Sequence, residues 1–569
     1  MSVPPIDAKG RDVTIVGGGL AGLCLALQLR QAHPELSIRV LERRQHPVPE
    51  AAFKIGESTV EIGAQYFSQV LGLKEHLDRE QIVKFGFRFF FSDQRRDLAR
   101  CVELGASRAL KTGAWQIDRG RFENYLAQRA LQQNIELHCG ASVKQLQLAE
   151  GDGGHRVKWE QSGQRYSAQT RWLIDASGRA GLLKRQLGLA EDNGHKVNSV
   201  WFRIKGRIEI DAWSDNSQWQ QRCQPAERWR STNHLVGPGY WVWLIPLASG
   251  SHSVGIVCDA ERYPLESMNS FELAMAWLQQ RQPLLAEALF PMKEQVQDFG
   301  FLRHLSYGCK QVFSAQRWAL TGEAGAFLDP FYSPGSDFIG ISNTYICRLI
   351  EKDLAGEVWQ PYAQVYEQLF FSFYESTLAM YKGQYHLFGD AELLPLKVLW
   401  DYSYYWGVLG PLFFANRIDD LPTLSRLRTE LAEVKALNFS MQELFCRWGH
   451  RRVADRTGAQ PATEGQFLDQ ARLDWFAELN RALRDPLETP AFLARLRSNL
   501  RQLQGIAAEL AEVAAEQGVP CGWAGDQVDQ LAGSVSEGPK WLPAAWRTTA
   551  SSHSTIDPNH LTIDIAGSV

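Results

Sequence analysis

Val13-Thr14-Ile15-Val16-Gly17-Gly18-Gly19-Leu20-Ala21-Gly22 is the stretch that decides the fold. Val13–Val16 is a short apolar run that reads as a buried strand, and Leu23–Gln31 reads as a helix, so the G-x-G-x-x-G lies between a strand and a helix, as a dinucleotide fold requires. Gly17 permits the tight turn, Gly19 lets a pyrophosphate approach the backbone, and Gly22 lets helix and strand pack closely. Leu20 and Ala21 belong to the same cofactor-binding turn. A second strand, Ile38–Leu41, ends in Glu42 and Arg43. An acidic residue about 20 positions beyond the glycines is placed to bind ribose hydroxyls. The fold predicted is α/β, with strand-rich stretches interleaved among the nucleotide-binding pieces.

Three further segments specify the nucleotide. Trp172-Leu173-Ile174-Asp175-Ala176-Ser177-Gly178-Arg179 is an apolar strand running into a small-residue turn, Ile117-Asp118-Arg119-Gly120-Arg121-Phe122 reads as a helix start, and Gly322-Glu323-Ala324 lies farther on. Together they resemble the cofactor-contacting segments of FAD hydroxylase-type enzymes. The resemblance implies FAD rather than NAD, with Arg119 preferred to Arg121, and with Asp175, Gly322 and Glu323 at the cofactor. Glu323 stands where that group usually has an aspartate.

Four motifs narrow the resemblance to flavin-dependent halogenases. They are Phe53-Lys54-Ile55-Gly56-Glu57-Ser58, Lys84-Phe85-Gly86-Phe87-Arg88-Phe89, Trp241-Val242-Trp243-Leu244-Ile245-Pro246, and the spacing Phe327-x-x-Pro330-x-x-Ser333-x-Gly335. The family implies FADH2 delivered by a separate flavin reductase, and chloride or bromide oxidised to hypohalous acid and relayed to a lysine. Lys84 fills that place, with Lys54 the competing candidate. A lysine in apolar surroundings loses stabilisation of its charged form and becomes a nucleophilic amine near neutral pH. Trp241 and Trp243, two apart on a strand, share a face, and with Phe327 they would keep substrate off the flavin; Ser58 would contact the flavin and Gly335 would lie beside it. The halide would rest on the turn Ser333-Pro334-Gly335-Ser336. Proline has no N–H, so Pro334 removes one donor that relatives use. The aromatic run Leu399–Gly407 and the overall length resemble the aminopyrrolnitrin-chlorinating branch.

Composition and patterning set the remaining bounds. A chain of 569 residues with a net charge of −4 has no basic character for nucleic acid. Nine scattered cysteines form no CxxC or metal-like spacing, and no metal is expected. No apolar run reaches the roughly 20 residues of a membrane span, and the start lacks a signal peptide, so a cytoplasmic enzyme is expected. Residues 1–355 read as an FAD module interleaved with a substrate-side sheet at about 84–104 and 196–260, whose crowded tryptophans (201, 213, 219, 229, 241 and 243) suggest a pocket wall. Residues 356–532 read as helical and 533–569 as loop or tail. The substrate would be a small electron-rich aromatic or an acyl group on a carrier protein. Two other readings are an FAD monooxygenase that hydroxylates such a substrate, and a non-catalytic flavin- or partner-binding protein.

Overall fold

The computed structural model describes residues 6–50, 55–149, 153–223, 225–455, 465–521, 540–543 and 546. Lys54 lies outside them, as does the predicted tail apart from 540–543 and 546, where Leu542 and Trp546 are buried.

Arg11–Val16 is central to the first sheet, flanked in parallel by Ile38–Glu42 and then Glu136–Cys139 on one side, and by Gln164–Asp175 and then Trp318–Leu320 on the other. Val13 and Ile15 are fully buried, as are Val40 and Ile174, because helices cover a parallel sheet on its faces and leave no polar side to alternate with. The helix Leu20–Ala32 turns Leu23, Cys24, Ala26 and Leu27 inward. The early part of Gln164–Asp175 continues as an antiparallel meander with His155–Gln161 and Ser142–Gln147.

The second sheet has eight strands, in the order Val296–Leu302, Val197–Lys205, Ser251–Asp259, Tyr240–Pro246, Thr232–Gly237, Phe87–Phe91, Glu103–Gly105 and Phe467–Asp469. The outermost strands come from segments assigned elsewhere by sequence pattern. Val296–Leu302 lies next to what reads as an FAD piece, and Phe467–Asp469 interrupts the region read as helical. Each pairs because an edge strand offers unpaired backbone groups. One face of this sheet carries Trp241 and Trp243 into a core shared with the helices Leu393–Tyr404, Arg428–Asp455 and Thr489–Glu516. Trp213, Trp219 and Trp229 do not join that wall. They lie in short turns that pack with a separate cluster, Trp219 beneath the Arg228 guanidinium at 4.0 Å and Trp229 beneath that of Arg207 at 4.3 Å. Cation–π stacking accounts for Trp219 and Trp229, and only Trp201, Trp241 and Trp243 of the six reach the large cavity.

No helix among the described residues is long and apolar enough to cross a membrane.

Candidate functional site

A cavity of about 650 Å³ runs from the Gly17–Ala21 turn and Glu42 to the Ser333–Ser336 turn, with walls drawn from both sheets. At its first end Gly17 has φ +111°, and a Cβ there would lie 2.2 Å from Ala176 O, so glycine alone fits. Gly19 caps the helix Leu20–Ala32, whose first turn carries no acidic residue, and Leu20 and Ala21 line the cavity beside it. The free amides of that helix start suit an anion. Glu42 reaches the cavity while its carboxylate accepts from Gly18 N at 2.6 Å and Arg44 N at 2.7 Å; exposed Arg43 lines the wall beside it.

Two residues assigned to the cofactor stand behind the wall. Gly22 does not line the cavity: a Cβ on it would be 2.0 Å from Gly17 O, so its part is close packing. Asp175 is fully buried, its two carboxylate oxygens accepting from Ser177 N at 2.9 Å and Leu183 N at 2.7 Å. It shapes the turn that presents Ala176 to Arg179 to the cavity, and its carboxylate is already occupied. Arg119 does line the wall, donating to Ile55 O at 2.8 Å and Glu123 at 2.6 Å, whereas Arg121 turns away to Glu50. Gly322, at φ +61°, and Glu323 are also on the wall, Glu323 paired with Arg179 at 3.0 Å. Arg179 lies 4.8 Å from the Phe327 ring centroid; sequence reasoning did not single out this arginine as a site residue.

At the other end Pro334 caps the 20-residue helix Gly335–Leu354, and Ser333 before it adopts a left-handed conformation at φ +54°. Because the cap is proline, the helix's first N–H groups are those of Gly335, Ser336 and Asp337, and none of the three has an acceptor among the described residues. A Cβ on Gly335 would meet nothing within 4 Å. Trp241 and Trp243 wall the cavity nearby with ring centroids 5.7 Å apart. Gly255 makes this possible, since a Cβ there would lie 2.1 Å from the Trp243 ring. Trp241 Nε1 donates to Tyr385 Oη at 2.9 Å, Tyr385 donates to Asp329 at 2.6 Å, and Asp329 also holds His195 at 2.8 Å. All four side chains are buried. No local pattern signals this relay, which joins segments far apart in the chain.

Lys84 does not line the large cavity; it sits one side chain behind it. Its Nζ donates to Ser58 Oγ at 2.9 Å and Thr59 O at 3.0 Å and lies 3.3 Å from the Phe87 ring centroid. Ser58, which is on the wall, also shares a hydrogen bond with Thr232 Oγ1 at 2.9 Å. Glu57, beside it, pairs with buried Arg203 at 2.7 Å, which ties this segment to the second sheet. Burial pulls the Lys84 ammonium down to about 7, against the opposing pull of Glu61 and Asp337. Burial likewise pushes the carboxyls of both neighbours up, Asp337 to about 8, so near neutral pH Asp337 offsets the ammonium only weakly. His234, fully buried on the cavity wall, is held neutral by burial and by Lys84, at about 3.

On the far side of Pro334 is a second, smaller cavity of about 50 Å³. Val60 and Asp337 line it together with Tyr332, Tyr381, Tyr402 and Tyr405. Lys84 lines neither cavity; it bonds Ser58, which is on the wall of the large one, and Thr59, whose chain neighbour Val60 lines the small one. Asp401 at this cavity is bonded by Tyr332 at 2.8 Å and by buried Lys397 at 2.6 Å. The aromatic density of residues 399–407 was a visible signal in the sequence, but not its destination.

Comparison with known proteins places these features in context. Residues 11–259 match the FAD binding domain family. A flavin-dependent halogenase of Dictyostelium discoideum is 27% identical over 437 residues, 71% of each chain. The 1H-pyrrole-2-carbonyl-(peptidyl-carrier protein) chlorinase of Pseudomonas fluorescens is 25% identical over 344 residues, 57% of this chain and 72% of the other. Among solved structures, halogenase PltM superposes with a TM-score of 0.62 at 18% identity, covering 87% of this chain and 98% of PltM. The flavin-dependent brominase Bmp2 gives 0.53 at 22% identity, covering 66% and 87%. At those identities the superpositions carry the fold.

Proposed function

We propose that this chain, which is similar to flavin-dependent halogenases and matches an FAD binding domain over residues 11–259, halogenates an electron-rich aromatic or heteroaromatic ring, free or carried on a protein, with FADH2, oxygen and halide. The observation that carries this reading is Lys84: a buried, weakly basic amine bonded to Ser58 on the wall of a dinucleotide-sized cavity and to Thr59 beside a tyrosine-lined one. The residues present suit FAD. Gly17 and Gly19 would let its phosphates approach, Glu42 and Arg43 would hold its ribose, Arg119 and Glu323 would contact it farther along the wall, and Gly335 would leave room for its ring. Reduced FAD, when bound, supplies with oxygen the oxidising equivalent that converts halide to hypohalous acid.

The chain's own groups do the rest. The Gly335 and Ser336 amides receive halide at the helix start, where two N–H donors and the helix field replace part of its hydration. Pro334 thus costs the cradle one amide without emptying it. Trp241 and Trp243, with Phe327 on the same cavity wall, exclude a bulky substrate. The neutral Lys84 amine attacks the halogen of hypohalous acid: an N–halogen bond forms as the halogen–oxygen bond breaks, and the departing hydroxide takes the amine proton as water. The substrate ring then meets the halogen from the tyrosine-lined side. That cavity, at about 50 Å³, is smaller than the roughly 150 Å³ that holds a benzene ring, so substrate entry requires its tyrosines to move apart.

A separate flavin reductase supplies FADH2, since the only G-x-G-x-x-G is committed to FAD. The test is to mix protein, enzymatically reduced FAD, oxygen and bromide or chloride with a panel of phenols, pyrroles and indoles, free and carrier-bound. A halogenated product is expected. Hydroxylated product formed equally well without halide would replace this reading with the monooxygenase one.

Two expected results probe the site. Lys84 is protonated below about 7 and neutral above it, and only the neutral form has a lone pair to accept halogen. Product formed per FADH2 oxidised therefore rises as pH climbs through that value and levels off above it, and a profile that falls over the same interval would contradict the assignment. At the halide turn, Gly335→Asp places a carboxylate in the open space beside the amides, raising the apparent halide constant by about tenfold or more, since each tenfold is only about 1.4 kcal/mol. Pro334→Ala, which restores an amide before the helix start, shifts it the other way, toward tighter halide binding by about tenfold, the lower end of what a hydrogen bond to a charged group contributes, about 1.5–3 kcal/mol. Halide titrations of the two variants check both.

A further inference from the structure

Away from both cavities, the turn Tyr385–Leu387 is pressed against the helix Arg428–Asp455. Gly449 allows the contact, because a Cβ there would lie 2.0 Å from Leu387 Cδ2 and 2.7 Å from His386 Nε2. On either side of that glycine, Cys446 and His450 are four residues apart and so project from one face of the helix. His386 is held over this face, its ring stacked on that of His450 at 4.0 Å and its Nε2 bonded to Cys446 O at 3.0 Å. One ligand atom from each of His386, Cys446 and His450 lies within 4.8 Å of the other two.

We propose that these three side chains form a binding site for a borderline divalent transition metal, Zn²⁺ above all. Two imidazoles and a thiolate are donors this class of cation takes in preference to the oxygen ligands of Mg²⁺ or Ca²⁺. Three protein ligands leave a fourth tetrahedral position for water. With metal–nitrogen and metal–sulfur bonds of roughly 2.0–2.3 Å, the donor atoms must draw together by about an ångström. Exposed His450 has the freedom to do so. Binding displaces the thiol proton of Cys446, which now points toward Gly383 O at 3.6 Å, and releases it to solvent. A bound ion also fixes the turn whose Tyr385 hydroxyl meets Trp241 Nε1 at the wall of the large cavity. The site does not depend on the halogenase reading.

The experiment is titration of the metal-free full-length protein with Co²⁺ as a coloured stand-in, followed by competition with Zn²⁺. The wild type should show a thiolate-to-cobalt charge-transfer band and the visible bands of four-coordinate Co²⁺, all bleached by Zn²⁺. Cys446→Ser should lose the charge-transfer band, and His450→Ala should bind Co²⁺ at least about tenfold more weakly, both binding FAD as the wild type does. Absence of the band in the wild type, its survival in Cys446→Ser, or unchanged affinity in His450→Ala would overturn the proposal. His450 can be replaced without touching the core, so its variant decides the matter should Cys446→Ser fold poorly.

Discussion

Lys84→Met is expected to bind FAD and to consume oxygen with reduced FAD as the wild type does, while halogenated product falls by about 10³-fold or more. Methionine keeps the apolar stem over Phe87 and removes the costly burial of an ammonium, so the fold should hold. Ser58 Oγ and Thr59 O each lose the Lys84 donor; Ser58 keeps its bond to Thr232, so the main cost falls on the buried Thr59 carbonyl, about 1–3 kcal/mol. Loss of a general acid or base contributes typically 10²–10⁴-fold, and a residue that carries the halogen itself should exceed the middle of that range. Separate measurement of oxygen uptake and product distinguishes failure of delivery from failure of flavin chemistry. Wild-type halogenation by Lys84→Met would remove Lys84 from the mechanism and make Lys54 the next residue to replace.

Gly17→Ala should cost FAD binding at least about 100-fold. The added methyl would lie 2.2 Å from Ala176 O, at a backbone φ of +111°. Left-handed or otherwise sparse backbone held by a non-glycine residue costs of order 1–3 kcal/mol, and relieving the clash must move either the Ala176 turn or the helix that begins at Leu20. Both shape the cofactor cavity, and about 2.7 kcal/mol suffices for 100-fold. Flavin fluorescence titration reads the affinity, and a melting curve shows whether the fold survives. Affinity within threefold of the wild type would mean that the turn is not where the pyrophosphate rests.

Local pattern was enough wherever the chemistry lies within a few consecutive residues. The strand, turn and helix around Gly17–Gly22 need only neighbouring residues, and so does the two-residue spacing that turns Trp241 and Trp243 to one face. Asp175 shows where the same logic overreached. Its type and position fit a cofactor-binding segment, but the sequence does not say whether a side chain faces the cavity or the layer behind it. Asp175 commits its carboxylate to the Ser177 and Leu183 amides, whereas Gly22 packs helix against strand as its place in the motif implies.

The sequence by itself determined the dinucleotide fold, because the glycine spacing between strand and helix is short-range and backbone geometry translates it directly, while the FAD segments and the candidate lysine came from the resemblance of their motifs to FAD hydroxylase-type enzymes and flavin-dependent halogenases. Only the tertiary structure decided what long separations bring together. Lys84 is weakly basic because segments near residues 58, 61 and 337 close around it, and desolvation is a property of that enclosure. The tyrosine-lined cavity joins residue 60 to residues 332–409. His386 meets Cys446 and His450 from about sixty residues away, so a search for metal-ligand spacing along the chain passes over it. Side-chain donors converge through packing, which sequence distance does not record.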